Sequence, residues 1–422
     1  MKFASRFLLL LALVVLVGTA SAWAQVPLKV GEVRGHRAET PHPYPLGTDA
    51  RPVVWTDTVT SPGAAFIRVH FTGLALAPGD FVSVSSPDGS RTWTYAGRGP
   101  HGNGDVWSFA IDGDTAIVQI HGGRGMGHGY SIDAVGHGTV KPNPVPEVVC
   151  GTDGREDVAC HLPEIDAAQK PVARLLYVSG PYQYACTGWL VKGANSSTLV
   201  TNNHCISSQT ETNTLQATFN FQKTTCGGAT YNPTSTYAGG TFLKTNSVTY
   251  SRKGGGLDYT LLTLQGNPEA TWGELTGTTA SANVGDLLWF IQHGGGNEKK
   301  VGYWEDANQA TRCKVDTVNQ TYGTAAPNSQ TGYACDSEGG SSGSPIVDPA
   351  TGNVIALHHY GGVVTNPCLN SGTKMSLICT DAGSLLSCFG GGTCLPAGAS
   401  CTANSQCCSA NCSGKKGAKT CQ

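Results

Sequence analysis

The distribution of cysteines is the feature of this sequence that most constrains its fold. All 16 cysteines lie at or beyond Cys150, with ten between residues 148 and 388 and six in the last 29 residues. An even number of cysteines in an exported chain is typical of a disulfide framework. The cysteines therefore divide the chain into a cysteine-free N-terminal zone, a central zone and a short C-terminal zone.

The composition favours β-structure. Charged residues make up 13% of the chain, about half of the usual share of roughly 25%. The 56 glycines among 422 residues are about twice the typical share of roughly 7%. This composition suits short strands joined by tight turns and predicts an all-β protein. The formal net charge of −2 gives no reason to expect nucleic acid or an anionic membrane as a partner.

The first residues have the pattern of a secretory signal peptide. Lys2 and Arg6 precede an apolar run from residue 7 to residue 17, and small-x-small cleavage sites follow, the last ending at Ala24. The run is too short to cross roughly 30 Å of hydrocarbon. We therefore expect a signal peptide over residues 1–24, a secreted protein and no membrane anchor in the mature form.

Residues 25–138 alternate between apolar and polar residues as strands do. The runs 107–111 and 116–120, for example, flank the turn Asp112-Gly113-Asp114. Short strands at this spacing, separated by Gly, Asp and Pro turns, predict a small β-sandwich. We interpret this region as a candidate pro-domain. A role in binding cell-wall glycan or protein is an alternative, for which no specific aromatic stripe stands out.

A proline-rich linker follows the predicted sandwich. Residues 139–147 contain Pro142, Pro144 and Pro146, and each proline fixes φ, which makes the segment stiff. We expect proteolytic processing to occur here.

The C-terminal zone, residues 389–422, is too short to build an adequate apolar core, so disulfides must hold it. Its six cysteines allow fifteen pairings. The adjacent pair Cys407-Cys408 resembles the knottin family. That resemblance implies the pairs Cys394–Cys408, Cys401–Cys412 and Cys407–Cys421. A cross-linked spacer and a binding or inhibitory module both remain open for this tail.

Three segments of the central zone supply the parts of an acyl-transfer site: a nucleophile, a base, a carboxylate that orients the base, and donors for an oxyanion. The strongest is Gly339-Gly340-Ser341-Ser342-Gly343-Ser344-Pro345, which precedes an apolar run. Its glycines permit a tight turn that exposes backbone N–H groups. A structural Gly/Ser-rich loop is the simpler alternative. The motif favours Ser342 as a nucleophile.

The other two segments supply a histidine and an aspartate. His204 stands between the strand-like run 197–200 and Cys205, and a disulfide from that cysteine would anchor the imidazole without occupying it. Asp258 enters the apolar run 259–264, where a buried carboxylate needs a donor that a histidine N–H can provide. Either residue alone is a weak signal. Together with Ser342, and in the order His204, Asp258, Ser342, they are predicted to form a catalytic triad.

These motifs resemble the trypsin-like serine proteases, and most closely the bacterial lysyl endopeptidases, over roughly residues 148–370. The matching segments are 186–191 before the His-Cys pair, 258–262 around the aspartate and 340–346 around the nucleophile. The resemblance implies a chymotrypsin-like double β-barrel over residues 148–388. It also implies that the N–H groups of Gly340 and Ser342 stabilise the oxyanion, with no metal and no organic cofactor.

The same resemblance implies part of the disulfide pairing: Cys186–Cys205, Cys150–Cys368 and Cys160–Cys226. Two further pairs, Cys313–Cys335 and Cys379–Cys388, follow by elimination. Each bridge should stabilise the fold by roughly 2–4 kcal/mol, mainly by constraining the unfolded chain.

The sequence departs from the family pattern at two places. Asn202-Asn203 precedes His204, where the family usually has Ala, and Asn203 would either crowd the imidazole or add a hydrogen bond. Ser341 stands where trypsin carries an Asp that pairs with a newly freed N-terminus. Without a carboxylate there, that activation switch cannot operate. The N-terminal region would then inhibit by blocking the cleft, or assist folding.

Specificity has competing candidates. Asp336 lies six residues before Ser342, where trypsin places the carboxylate that selects Arg or Lys, and a buried unpaired charge there would be costly. Glutamyl endopeptidases instead bind an acidic side chain through a histidine like His359 and a hydroxyl like Ser337. A third alternative is that Asp336 only hydrogen-bonds within its loop. Backbone groups near Tyr360, Gly361 and Gly362 should pair with the substrate as an added strand.

The sequence therefore predicts an all-β protein: a chymotrypsin-like double β-barrel preceded by a small β-sandwich and followed by a disulfide-knotted tail. The predicted function is that of a secreted, monomeric serine endopeptidase that cleaves peptide bonds after Lys or Arg. The alternatives are glutamyl-type specificity and a non-catalytic, protease-like binding or adhesion protein. Labelling of Ser342 by a fluorophosphonate would separate an enzyme from a scaffold.

Overall fold

The structure is a computed structural model that describes residues 26–48, 50–122, 127–139, 148–362, 366–390, 398–401, 412–415 and 418–421. The predicted signal peptide and all but the first residue of the predicted linker that ends at residue 147 lie outside the described residues. Among the described residues, no helix is both long and apolar enough to span a bilayer.

The N-terminal region consists of antiparallel strands. They are β1 (Leu28–Glu39), β2 (Val53–Thr60), β3 (Phe66–Ala75), β4 (Phe81–Ser85), β5 (Thr92–Ala96), β6 (Val106–Trp107), β7 (Ile111–Asp112), β8 (Thr115–His121) and β9 (Gly129–Gly138). In β8, Ala116, Val118 and Ile120 are buried and the residues between them are half-buried. This period of two is what places one face of each strand against a core.

The N-terminal strands form two sheets around one core. Strands β1, β9, β3 and β6 are neighbours in one sheet, in which β7 also pairs with β3, and β2, β8, β4 and β5 form the other. The cluster between them includes Ile67, Val69 and Phe71 of β3 and Val118 and Ile120 of β8. The predicted β-sandwich is confirmed.

The strands of the central zone follow. They are β10 (Arg155–Asp157), β11 (Val172–Ser179), β12 (Tyr182–Leu190), β13 (Thr198–Thr201), β14 (Gln216–Phe219), β15 (Ser235–Asn246), β16 (Tyr259–Leu264), β17 (Trp289–Gln292), β18 (Lys300–Gly302), β19 (Thr317–Gln320), β20 (Gln330–Tyr333), β21 (Pro345–Val347), β22 (Val354–Tyr360) and β23 (Asn370–Lys374). The described α-helices are short: α1 (Asp166–Gln169), α2 (Gln209–Asn213), α3 (Glu269–Trp272) and α4 (Met375–Ala382).

Six strands close into a barrel. The order is β11-β14-β15-β16-β13-β12, and β12 pairs again with β11. The barrel encloses an apolar cluster that includes Leu175, Tyr177, Leu199, Phe219 and Leu262. Closure leaves these strands few unpaired edges, which stabilises an all-β domain.

Eight strands form the second half of the central zone, in the order β10-β18-β17-β21-β22-β23-β20-β19. One apolar cluster runs from this sheet to the barrel, and it includes Val200 and Leu261 of the barrel and Ile291, Val347 and Leu357 of the sheet. The all-β, double β-barrel architecture predicted from the sequence is confirmed. Residues that are distant in the sequence therefore meet where the two halves pack together.

Strand β1 belongs to both the sandwich and the barrel. It pairs with β9 from Gly31 to Glu39 and with β12 from Leu28 to Glu32, so that one continuous sheet crosses from the N-terminal region into the barrel. The predicted division into a sandwich over residues 25–138, a linker over 139–147 and a protease domain over 148–388 did not include this pairing. Alternation in a sequence indicates which face of a strand is buried but not which strand lies beside it, so this pairing could not be predicted.

Six disulfide bonds join pairs of described cysteines. Five lie in the central zone, and one, Cys401–Cys412, lies in the tail, where β24 (Cys412–Lys415) and β25 (Ala418–Cys421) form a hairpin. All six are pairs that the resemblances or elimination had suggested, but Cys394, Cys407 and Cys408 lie outside the described residues, so the knottin pairing of the tail stays a prediction. The five central pairs are Cys150–Cys368, Cys160–Cys226, Cys186–Cys205, Cys313–Cys335 and Cys379–Cys388.

A lysine is buried between the two halves of the central zone. Lys299 is 0% exposed, and its Nζ donates to the backbone oxygen of Gln169 at 2.7 Å and to the side-chain oxygen of Gln169 at 3.2 Å. It forms no ion pair with any described residue. Burial lowers the pKa of Lys299 to about 7, because a charged ammonium loses its hydration there.

This burial predicts a pH-dependent stability. The unfolded chain holds the lysine proton up to roughly pH 10.4, so between about pH 7 and that value the unfolded state binds more protons than the folded state. The free energy of unfolding should therefore rise with pH across this window, by up to about 1.4 kcal/mol per pH unit, and Lys299→Met should remove that slope. Urea denaturation at pH 7, 8 and 9 measures it. The exposed Lys253→Met variant is the control and should keep the wild-type slope; an unchanged slope in Lys299→Met would contradict this assignment.

Candidate active site

The loop that carries Ser342 has a backbone that only glycine permits at two positions. Gly340 has a φ of +98° and Gly343 a φ of +88°. A Cβ at Gly343 would lie 2.1 Å from the backbone oxygen of Thr187, so no side chain fits there. Ser342 is 1% exposed. Its backbone oxygen accepts a hydrogen bond from the N–H of Thr187 at 2.9 Å. Strand β12 thus holds this loop against the barrel.

Side chains fix the same loop from its other side. The hydroxyl of Ser341 donates to Oε1 of Gln292 at 2.6 Å, and the hydroxyl of Thr187 donates to the backbone oxygen of Gly340 at 2.9 Å. The N–H of Gly295 donates to Gly339 O at 2.7 Å. Ser341, at the position where trypsin has an activating Asp, is therefore bound by Gln292 within the second sheet.

His204 and Asp258 meet because their strands are neighbours. His204 follows β13, Asp258 precedes β16, and these two strands pair from Thr198 to Thr201. Nδ1 of His204 donates to Oδ2 of Asp258 at 2.7 Å, and the backbone N–H of His204 donates to Oδ1 at 2.9 Å. The contact between base and carboxylate expected from the sequence is present.

The Asp258 carboxylate is fully buried and stays ionised. Its burial would raise the pKa, but the charge and hydrogen bond of His204, and then those of His359, outweigh this and hold the pKa of Asp258 well below its ordinary value. Asp258 also has a φ of +46°, a left-handed backbone that non-glycine residues rarely adopt and that concentrates at functional sites.

The second ring nitrogen of His204 is buried without a hydrogen bond. Its Nε2 has no partner among the residues that the structure describes, so in this conformation it is not hydrogen-bonded to the hydroxyl of Ser342. Catalytic hydrogen bonds are often long before substrate binds. The structure therefore brings together His204 and Asp258 of the predicted triad, whereas the hydrogen bond between His204 Nε2 and Ser342 that a triad uses is not formed in this conformation.

His359 supports Asp258, a role that the sequence reasoning missed. It is 0% exposed; its Nδ1 lies 3.1 Å from Asp258 Oδ2 and its Nε2 lies 2.6 Å from Oε1 of Gln330. Burial lowers the pKa of His359, although the hydrogen bond and charge of Asp258 act in the opposite direction. Both ring nitrogens are engaged within the protein, and a carboxylate lies beside them. The structure therefore does not offer His359 to an acidic substrate side chain, as the glutamyl-type alternative requires.

The two asparagines before His204 are supports as well. Asn202 donates from Nδ2 to the backbone oxygen of Asp258 at 2.8 Å. Asn203 donates to Thr245 at 2.9 Å and accepts from the N–H of Val248 at 3.1 Å. Asn203 is thus fixed to β15 and the residues that follow it and does not crowd the imidazole through these bonds.

Asp336 binds the N-terminal segment of the central zone. Its Oδ1 accepts the N–H of Cys150 at 2.9 Å and its Oδ2 accepts the N–H of Gly154 at 2.7 Å. Burial raises the pKa of Asp336, and these two hydrogen bonds oppose the rise. Beside it, Arg155 donates to Glu338 at 3.0 Å. The carboxylate expected at a pocket floor therefore fastens the segment 150–154 close to the loop that carries Ser342.

The other predicted substrate-binding residues lie nearby with mixed roles. The hydroxyl of Ser337 donates to Oδ1 of Asn370 at 2.8 Å, and Ser337 is 0% exposed. The hydroxyl of Tyr360 lies 2.9 Å from the hydroxyl of Thr324. Gly361 follows β22 directly and is outside the pairing with β23, which ends at Tyr360. The side chains of Ser337 and Tyr360 thus bind other residues of the protein, and the substrate-binding roles expected of Ser337, Tyr360 and Gly361 stay predictions.

A group of potential metal ligands is also present, but its chemistry excludes a metal. Atoms of Cys186, His204 and Cys205 lie within 4.8 Å of one another. The two sulfurs are joined in a disulfide, so neither is a thiolate that could bind a metal ion. The disulfide instead anchors the residue next to the imidazole.

Replacing His359 should slow the chemistry at Ser342. In His359→Leu, Asp258 loses a donor worth about 1.5–3 kcal/mol for a charged acceptor, so the rate of fluorophosphonate labelling should fall about 10- to 100-fold. The pKa of Asp258 should rise, so the acid limb of the labelling rate should shift to higher pH. His359→Asn keeps a donor near Nδ1 and should recover part of the rate.

The matched control is His358→Leu, because His358 is a buried histidine on the same strand. Its Nδ1 lies 2.7 Å from the hydroxyl oxygen of Tyr333. This variant should leave the acid limb in place. Equal pH profiles in all three variants would rule out a role for His359 at Asp258.

Comparisons with known proteins show which sequences and structures this chain resembles. A relative, the secreted RxLR effector protein 73 of Plasmopara viticola, is 29% identical over 355 residues, which cover 80% of this chain and 85% of that protein. A crystal structure of a Glu endopeptidase has a TM-score of 0.39 and 17% identity, and covers 56% of this chain and 96% of that chain. A protease from M. tuberculosis in its active form has a TM-score of 0.40 and 15% identity, and covers 58% of this chain and 91% of that chain.

The family assignment depends on the sequence match alone. The sequence model of the family described as "Lysyl endopeptidase, C-terminal domain" matches residues 152–373. This range is more than half of the chain and contains all three residues predicted as the triad. The chain therefore belongs to the lysyl endopeptidase C-terminal domain family.

Proposed function

We propose that this protein is a serine endopeptidase in which Ser342 is the nucleophile, His204 the general base and Asp258 the carboxylate that orients the base. The observation that carries the proposal is the buried pair of His204 Nδ1 and Asp258 Oδ2 at 2.7 Å, with His204 Nε2 left without a partner among the described residues. An ionised, buried Asp258 fixes the ring tautomer in which Nε2 can accept a proton.

The proposed reaction proceeds through an acyl-enzyme. His204 Nε2 takes the proton of the Ser342 hydroxyl as that oxygen attacks the substrate carbonyl, and returns the proton to the leaving amine. The backbone N–H groups of Gly340 and Ser342 would stabilise the oxyanion. The positive φ of Gly340 and the fixed position of Ser341 support this role, because donors that are held in place in advance need no reorganisation.

The proposed setting is extracellular, with peptides or proteins as substrates. The pattern of residues 1–24 supports export, and the Plasmopara viticola relative is named as a secreted protein. Six disulfides among the described residues suit an oxidising compartment. We propose a monomer that needs no metal and no organic cofactor.

For specificity we propose cleavage after Lys or Arg, with Asp336 as the selecting carboxylate. Each carboxylate oxygen has two lone pairs, so the bonds from Cys150 and Gly154 leave acceptor capacity. The positions of His359 and Asp258 disfavour the acidic alternative. The further alternative, in which Asp336 only fastens the segment 150–154, is favoured by those same two bonds.

A protease-like binding protein is the second candidate function. One observation favours it: the Plasmopara viticola relative is described as an effector and not as a protease. In that case the cleft would bind a partner without cleaving it. The contact between His204 and Asp258 would then only stabilise the fold.

Fluorophosphonate labelling separates these two functions. The wild-type protein should be modified at Ser342 and hydrolyse peptides, whereas Ser342→Ala should not be modified and should lose about 10³-fold or more in hydrolysis. His204→Ala should lose a similar factor, because the serine then lacks a base. Mass spectrometry of the labelled peptide and hydrolysis of a quenched peptide are the measurements. Ser344→Ala is the control, and a wild-type protein that stays unlabelled would exclude the enzyme.

An unbiased peptide library tests the specificity. The wild type should cut after Lys and Arg, and Asp336→Asn should lose at least about tenfold of that preference, because a buried positive side chain without a countercharge is costly. The control Asp88→Asn, at an exposed turn after β4 in the N-terminal sandwich, should cut as the wild type does. Cut sites that are identical in wild type and Asp336→Asn would show that Asp336 is structural.

A further inference from the structure

Strand β1 covers an edge of β12 that would otherwise be unpaired. β12 pairs with β11 along its whole described length, but it pairs with β13 only at Trp189 and Leu190. The other edge of β12, from Tyr182 to Ala185, is paired with β1. An open strand edge is a site at which an extended peptide can add as a further strand. Here the first residues of β1 are that added strand.

This edge lies directly beside the proposed catalytic loop. Ala185 is followed by Cys186, which is bonded to the neighbour of His204, and by Thr187, which holds Ser342 and Gly340. Leu28, the partner of Ala185, reaches the loop itself: its Cδ2 lies 3.2 Å from the position that a Cβ on Gly340 would take. The N-terminal end of β1 therefore adjoins one of the proposed oxyanion donors.

The direction of β1 shows which half of a substrate it resembles. From Leu28 at the loop, β1 runs antiparallel to β12 and away from the loop to Glu32, which pairs with Tyr182. A peptide in this position has its N-terminal end at the nucleophile and its C-terminal end leading away. The surface under residues 28–32 is thus suited to the part of a substrate that follows the scissile bond.

The contacts of β1 on this surface are apolar and specific. Leu28 and Val30 are 4% and 6% exposed and form a cluster with Leu176 and Ala185. Gly296 lies beneath them: a Cβ there would be 3.6 Å from Val30 and 3.7 Å from Leu28. Between them, the exposed Lys29 places its ammonium 3.6 Å from the centre of the Tyr182 ring. The surface accepts an apolar–polar–apolar sequence.

We propose that residues 28–32 of β1 are an intramolecular peptide that occupies the leaving-group side of the cleft, so that the chain in this conformation is closed to extended substrates. The inference rests on the proposed protease function. It also identifies the surface under residues 28–32 as a binding site for the substrate. A substrate that replaces β1 there carries apolar side chains at two alternate positions after the bond that is cut. Displacement of β1, rather than formation of the loop that contains Gly340 and Ser342, then controls activity.

Partial occupancy of the cleft gives this proposal a distinctive signature. Val26, before Leu28, is 69% exposed, so its side chain is not buried in the catalytic centre. Reagents that reach Ser342 without residues on the leaving-group side, such as a fluorophosphonate or a short ester that ends at the scissile bond, should react normally. Peptides that extend beyond the scissile bond should be excluded.

The test compares these two classes of reagent on the mature full-length chain and on the double variant Leu28→Asp, Val30→Asp. Two buried carboxylates should release the first half of β1. Suppose that β1 is displaced in about a tenth of wild-type molecules or fewer. The ratio of quenched-peptide hydrolysis to ester hydrolysis should then rise about tenfold or more in the double variant. The rate of labelling by the fluorophosphonate should stay within about twofold of the wild-type rate.

Arg37→Asp is the matched control. It adds a carboxylate to the exposed half of the same strand, beyond the pairing with β12, and should keep the wild-type ratio. The synthetic peptide Leu-Lys-Val-Gly-Glu, added to the double variant, should restore inhibition of peptide hydrolysis. The peptide Asp-Lys-Asp-Gly-Glu should not.

The outcomes separate the two proposals. Labelling with an unchanged ratio of peptide to ester hydrolysis overturns the role of β1 and leaves the protease intact. If neither the wild type nor any variant is labelled, the proposed protease function is excluded. The role of β1 as a bound peptide is then tested by a binding measurement. In that case, fluorescence anisotropy that detects Leu-Lys-Val-Gly-Glu on the double variant supports the peptide surface, and failure to bind it overturns that surface.

Discussion

The buried carboxylate of Asp258 is the group on which the site depends. A buried charge costs several kcal/mol unless it is paired and hydrogen-bonded. Here two bonds come from His204, at the end of a barrel strand, and a third comes from His359, on a strand of the second sheet. Because donors from both halves converge on one carboxylate, the site can form only when the two halves are packed together.

The loop that carries Ser342 is fixed by contacts that do not require a freed N-terminus. Gln292 binds Ser341, Asp336 binds the backbone of the segment 150–154, and Arg155 binds Glu338. With the loop already held, the regulation that we propose acts on the access of substrate to Ser342. Continuity of β1 with β12 links the N-terminal sandwich to that access, since the same strand belongs to the sandwich core and to the edge beside the loop.

Much of the fold and part of the site could be predicted from the sequence. Alternation indicated the sandwich, and glycine-flanked Ser342 and the strand-flanked His204 and Asp258 indicated a triad by their order. The role of His359 could not be predicted, because a histidine within an apolar strand does not reveal which residue lies across from it. Asp336 was placed by its spacing from Ser342, but its partners lie more than 180 residues away in the chain.

The β-class, the turns and the residues able to do chemistry can be identified from the amino-acid sequence, because periodicity, glycine position and side-chain chemistry are local properties. Three features emerge only from the folded chain: β1 adds to the barrel, His359 faces Asp258, and Asp336 binds the backbone of the segment 150–154. These depend on which strand edges and buried polar groups find each other across long stretches of chain. Such pairing is set by the packing of the whole core, which no local pattern encodes.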